Sequence, residues 1–201
     1  LEKETTPWTL TQWVKRHSAK ILDPVATAFL HLGFHPNFIT VSGFVFGIIS
    51  GIFAGMGYFG KCAFFLMVSG LFDALDGTLA RRGGFESRFG AFLDSFMDRY
   101  AESAVFFGLA YYATLQGRHD MVLLVFASMV GSIMVSYARA RAEGVGISCK
   151  VGLFTRMERF LVLILSLFSE KIFIGLLILA IMTNLTALQR MIHVFKQSRK
   201  G

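Results

Sequence analysis

The sequence predicts an all-α, polytopic membrane protein: six transmembrane helices preceded by an N-terminal amphipathic helix at the membrane interface. Three observations carry this reading. Of 201 residues, 54% are hydrophobic and 16% charged, too few charges for a soluble domain of that length. The mean hydropathy is +0.58, and the apolar residues, 22 phenylalanines among them, fall in blocks long enough to cross a bilayer. The basic residues gather in alternate connections between those blocks, as membrane orientation demands.

The elements follow in order. Residues 8–32 are apolar at helical spacing, with Lys15, Arg16, His17 and Lys20 as the polar part. This is the pattern of a helix lying in the interface, with Trp8 and Trp13 at headgroup depth. A polar cap packed on the bundle fits it equally well. Gly33 and Pro36 break the helix. Residues 1–36 therefore form a juxtamembrane segment and 37–201 the six-helix domain. The spans are expected at 37–58, 60–81, 89–115, 119–142, 154–169 and 172–192. The fifth is short and opens on Arg156, Glu158 and Arg159, so it enters the membrane near Phe160. No internal repeat is visible, which argues against an inverted-repeat transporter.

Orientation follows from lysine and arginine. With the N-terminus inside, the cytoplasmic segments hold Lys15, Arg16, Lys20, Arg81, Arg82, Arg88, Arg139, Arg141, Lys150, Arg156, Arg159, Lys196, Arg199 and Lys200. The opposite side holds Lys61, Arg118 and Lys171. Both termini are thus expected on the cytoplasmic side of the cell (inner) membrane. The formal charge of +7 suits contact with anionic lipid or phosphate. Nucleic acid is not an expected partner, because the basic residues form no separate domain. The two cysteines, Cys62 and Cys149, make neither a disulfide framework nor a zinc site and are expected free. Residues 1–30 lack the pattern of a cleaved signal, so none is expected.

Four aspartates interrupt this apolar sequence: Asp73, Asp76, Asp94 and Asp98. A carboxylate at the centre of a membrane helix costs about 2.5–3.5 kcal/mol on insertion scales. Four of one sign also repel one another, and a divalent cation is the simplest group that would hold them together. Spacings of three and four place each pair on one helix face. Two such helices present hard oxygen donors of the kind Mg²⁺ or Mn²⁺ prefers. A salt-bridge network with Arg81, Arg82 and Arg99 is the bland alternative, and it leaves the accompanying glycines unexplained. Glu102, one turn beyond Asp98, is expected to pair with an arginine.

The full spacing is Asp73-x2-Asp76-Gly77-x2-Ala80-Arg81-x8-Gly90-x3-Asp94-x3-Asp98. It resembles the signature of the CDP-alcohol phosphotransferase family, integral membrane enzymes of phospholipid synthesis. The six-span pattern after an amphipathic start is similar to that family as well. The resemblance implies transfer of a phospho-alcohol group from a CDP-alcohol to a hydroxyl acceptor, with release of CMP. It implies metal at Asp73, Asp76 and Asp94, and Asp98 as general base that also touches metal. Gly77 would let a phosphate approach the backbone, and Arg81 would grip phosphate with its planar fork. Gly90 would let the third span approach the second. Ser87 corresponds to a family position that contacts the CDP-alcohol, and Asn37 and Thr40 resemble its nucleotide-side element. Taken alone, Asn37 reads better as a helix N-cap. A homodimer is implied too.

The stretch Ser136-Tyr137-Ala138-Arg139-Ala140-Arg141-Ala142-Glu143, followed by Arg156-Met157-Glu158-Arg159, resembles the prokaryotic phosphatidylinositol-phosphate synthase branch. Arg139 stands where that branch has lysine, and Thr155 where it has glutamate. Arg139, Arg141 and Arg156 would serve an acceptor bearing its own phosphate, with inositol 1-phosphate expected. Glycerol 3-phosphate needs the same cations and is the main competitor. A divalent-cation transporter is the rival of a different class, since intramembrane carboxylates also form ion sites.

Overall fold

The computed structural model describes residues 22–199, and the regular elements in that range are all α-helices. They are α1 (22–31), α2 (Pro36–Gly55), α3 (Phe59–Gly83), α4 (Arg88–Leu115), α5 (His119–Gly144), α6 (Arg156–Phe168) and α7 (Ile172–Ser198). Residues 8–21 of the expected interfacial helix lie outside the described residues. Among the described residues four helices, α2, α3, α5 and α7, are long and apolar enough to cross a membrane. α4 has 28 residues but carries Asp94, Asp98, Arg99 and Glu102. α6 has 13, a rise of roughly 20 Å.

Helix ends are set by local chemistry. Pro36 opens α2 with its φ already fixed, and His35 is the N-cap, its Nδ1 accepting from the Asn37 N–H at 3.2 Å. Asn37 is thus inside the helix and is not its cap. α3, expected to end at 81, continues to Gly83 and stops at Gly84, whose φ of 67° suits glycine. Ser87 caps α4, its hydroxyl accepting from the Gly90 N–H at 2.9 Å. Thr155 and Glu158 cap α6 reciprocally, the Glu158 carboxylate accepting from the Thr155 N–H at 2.9 Å and from its hydroxyl.

In lipid, helices gain little from burying apolar area against each other, so small residues and polar side chains hold them. α2 packs closely on α3 and α4, and α5 on α7. A Cβ on Gly47 would stand 2.5 Å from the Ala101 Cβ, and one on Gly43 would stand 3.0 Å from the Phe72 Cβ. Gly51 lies on Ala104, and Gly108 on Gly51 and Ala54. Hydroxyls tie the same helices: Ser69 donates to the Gly43 carbonyl at 2.8 Å, Ser50 to that of Cys62 at 2.8 Å, and Ser128 to that of Leu176 at 3.0 Å. Cys62 and Cys149 are buried and free. α1 docks through Ala26 on Ile39, Leu75 and Leu79, and Asp23 pairs with Arg82 at 2.6 Å.

The short turns, with the longer 145–155 connection between α5 and α6, put the C-terminal end of α3, the N-terminal end of α4, the C-terminal end of α5 and the N-terminal end of α6 at one end of the bundle. All four aspartates lie toward that end.

Candidate active site

α3 supplies Asp73 and Asp76, and α4 supplies Asp94 and Asp98. One carboxylate oxygen from each of Asp73, Asp76 and Asp94 lies within 4.8 Å of the other two. A small cavity between α2, α3 and α4 is lined by Thr40, Gly43, Asp73, Asp76, Asp94 and Asp98. Asp76 is 5% exposed. Its Oδ2 accepts from the Thr40 hydroxyl at 2.6 Å, a charge-assisted bond that fixes the carboxylate. The Oδ1 of Asp94 is buried and has no hydrogen-bond partner among the described residues. An orphaned carboxylate oxygen beside two further carboxylates fits a hard divalent cation. The residues present therefore suit the metal that the motif implies.

Asp98 is held differently. Its Oδ1 meets Arg156 Nη2 at 2.5 Å, and its Oδ2 lies 3.7 Å from Arg99 Nη2. The same Arg156 Nη2 reaches Asp73 Oδ1 at 3.0 Å. Behind Asp98, Glu102 pairs with Arg159 at 3.1 Å and Arg99 at 3.4 Å, as expected of it. Arg99 also donates to the Ser136 hydroxyl at 2.6 Å, joining α4 to α5. Of the arginines in the bland alternative, only Arg99 lies against one of the four aspartates, Asp98. Arg81 donates to Thr78 at 3.3 Å, and Arg82 reaches Asp23.

The other expected site residues divide. A Cβ built on Gly77 meets only Arg81 Nη1, at 3.3 Å, so the backbone there is open to approach. A Cβ on Gly90 would meet Ser87 Oγ at 3.0 Å and Asn37 Oδ1 at 3.4 Å. Asn37, Ser87 and Gly90 thus come together, and Gly90 opens onto α2. The expectation that it lets α4 approach α3 is corrected: no atom of α3 lies within 4 Å of that position. Arg139 is exposed and pairs with Glu143 at 2.9 Å. Arg141 is exposed at the end of α5. Neither touches the aspartates, whereas Arg156 does.

Two arginines beyond the expected acceptor-binding set are buried. Arg159 is 2% exposed and Arg190 4%. Arg190 donates from Nε to the Val151 carbonyl at 2.9 Å and from Nη1 to that of Val135, pinning the α5–α6 connection to α7. Its signal is present in the sequence, a lone arginine in an apolar run.

The pattern that defines the family described as CDP-alcohol phosphatidyltransferase matches residues 34–195. The phosphatidylinositol phosphate synthase of Mycobacteroides abscessus is 34% identical over 191 residues, covering 90% of this chain and 86% of that protein. The crystal structure of the Mycobacterium tuberculosis phosphatidylinositol phosphate synthase with CDP-DAG bound superposes with a TM-score of 0.82 at 31% identity, over 88% of this chain and 94% of that one. A second structure of that protein, in complex with manganese and citrate, gives 0.80 at 30% identity, over 87% and 88%.

Proposed function

This chain belongs to the CDP-alcohol phosphatidyltransferase family, and we propose that it transfers the phosphatidyl group of CDP-diacylglycerol to inositol 1-phosphate, releasing CMP. The observation that carries the proposal is the gathering of the four carboxylates at one cavity: three converge within 4.8 Å, and the fourth is held there by arginine. The named relatives, phosphatidylinositol phosphate synthases at 34% and 31% identity, support the acceptor class.

Asp73, Asp76 and Asp94 would hold Mg²⁺ or Mn²⁺. When bound, such a cation supplies positive charge to the donor's diphosphate and to the departing phosphate. The chain's own residues do the rest. Thr40 keeps Asp76 oriented through its hydroxyl. Gly77 leaves the backbone open, and Arg81 offers its fork to a phosphate. Asn37 and Ser87, which meet at Gly90, contact the CDP-alcohol. Asp98 accepts the proton of the acceptor hydroxyl as its oxygen attacks the phosphorus bearing diacylglycerol, and the bond from that phosphorus to the CMP oxygen breaks. Arg139, Arg141 and Arg156 meet the acceptor's own phosphate.

The same reading places the enzyme in the cell (inner) membrane with six spans, α2 to α7, and an interfacial helix over 8–32 before them. It divides the chain at 36/37, sets the aspartates and both termini on the cytoplasmic side, and pairs two copies as a homodimer. The lysine and arginine bias supports the orientation.

The test is CMP release by purified enzyme from CDP-diacylglycerol with inositol 1-phosphate, glycerol 3-phosphate, inositol or serine as acceptor. Inositol 1-phosphate is expected to give the highest kcat/KM. A preference for glycerol 3-phosphate would reassign the enzyme to phosphatidylglycerophosphate synthesis. Metal-ion flux in proteoliposomes without CMP release would replace the transferase reading altogether.

A further inference from the structure

Arg156 stands at the first position of α6. A cation there opposes the helix macrodipole, whose N-terminal end is positive, so helix stability does not account for it. What offsets it is on the neighbouring helices. One nitrogen, Nη2, bridges Asp73 Oδ1 on α3 at 3.0 Å and Asp98 Oδ1 on α4 at 2.5 Å. The capping pair Thr155–Glu158 fixes the turn from which Arg156 projects. Arg156 thereby shares one carboxylate, Asp73, with the three-aspartate cluster and holds the fourth, Asp98, at the same cavity.

We propose that Arg156 is a positioning residue of the transfer reaction, fixing Asp98 beside the three-carboxylate cluster and competing with the divalent cation for Asp73. This rests on the reading of Asp73, Asp76 and Asp94 as metal ligands, and adds a task to the acceptor contact given to Arg156 above. The two tasks separate experimentally: acceptor contact is read in the acceptor KM, competition and positioning in metal affinity and kcat. A guanidinium within hydrogen-bond reach of a ligand oxygen screens its charge, so metal and arginine oppose each other there. A base anchored by two arginines keeps its place even though three like charges stand beside it.

The experiment measures Mn²⁺ binding to the purified enzyme, without either substrate, from the loss of the free-ion electron paramagnetic resonance signal. Kinetics are then taken at saturating Mn²⁺ and acceptor. Arg156→Gln is expected to bind Mn²⁺ about tenfold more tightly, as removal of one competing charge-assisted bond implies. Its kcat is expected to fall about 10²-fold, the order of loss that a misplaced catalytic group brings. A general loss of structure would instead weaken both. Arg156→Lys keeps the charge on a shorter side chain that does not bring one nitrogen onto both carboxylates; it is expected to bind Mn²⁺ as wild type does and still turn over more slowly. Unchanged or weaker Mn²⁺ binding in Arg156→Gln overturns the competition, and a wild-type kcat in either variant overturns the positioning. Asp76→Asn is the control for the underlying reading: if it binds Mn²⁺ as wild type does, the metal cluster itself is wrong, whatever the arginine variants do.

Discussion

Replacing Thr40 by valine tests how the acidic cluster is held. Thr40 is 8% exposed, and its hydroxyl stands 2.6 Å from Asp76 Oδ2 and 3.2 Å from the Pro36 carbonyl. A hydroxyl has one proton, and the shorter, charged contact takes it. Valine keeps the size and branching and removes that donor. A hydrogen bond to a charged group is worth about 1.5–3 kcal/mol. At about 1.4 kcal/mol per decade this is a 10- to 150-fold effect on whatever the fixed carboxylate does. Groups that orient metal ligands typically change affinity by about 10- to 100-fold, the same range. The Mn²⁺ concentration for half-maximal CMP release should therefore rise by about 10- to 100-fold in Thr40→Val. The KM for CDP-diacylglycerol at saturating Mn²⁺ should stay near that of wild type, and Thr40→Ser should restore the metal requirement. An unchanged metal requirement with a raised KM for the donor would refute this reasoning and favour direct contact of Thr40 with the CDP-alcohol.

Asp→Asn at position 73, 76 or 94 should cut CMP release by orders of magnitude at low millimolar Mg²⁺; near-normal activity in Asp76→Asn would remove the metal-site proposal. Asp98→Asn should lose about 10²- to 10⁴-fold in transfer while CDP-alcohol still binds, as loss of a general base predicts. Equal losses of nucleotide binding and rate would make Asp98 chiefly a metal ligand. Arg141→Gln should raise the KM for inositol 1-phosphate by about 10- to 150-fold, the value of one charge-assisted hydrogen bond, and leave that for the donor unchanged. Unaltered acceptor KM there would leave Arg141 as a boundary charge only.

The sequence is most informative where chemistry is local. Asp73 with Asp76, and Asp94 with Asp98, share helix faces by spacing alone, and apolar blocks of about 20 residues locate helices within a few positions of those observed. Glu102 is legible for the same reason, one turn from Asp98. Contacts between distant segments carry no such signal. Thr40 lies 36 positions from Asp76, and its hydroxyl is as compatible with a ligand as with a carboxylate. Arg156 falls among three other arginines in the sequence, and only folding shows that it bridges Asp73 and Asp98 while Arg159 turns to Glu102. Gly90 illustrates the same limit from the other side. Its lack of a side chain announces a close approach but not by whom, and Asn37 of α2 is the neighbour.

The glycine contacts of α2 reach further than packing. Where a side chain separates two helices, its rotamers leave the gap some slack; where Gly47 lies on Ala101 and Gly51 on Ala104, nothing remains to rotate. The spacing of α2 and α4 is set there by atomic radii. Asp94 lies seven residues from Ala101, roughly 10 Å along the helix axis. Ligand distances at a metal are held to about 0.2 Å, a tolerance that backbone contact meets and flexible side chains do not. A change in bilayer thickness that tilts the bundle would carry α2 and α4 as one piece. The ruler between the helices that carry Thr40 and Asp94 is main chain, and the surrounding lipid has little purchase on it.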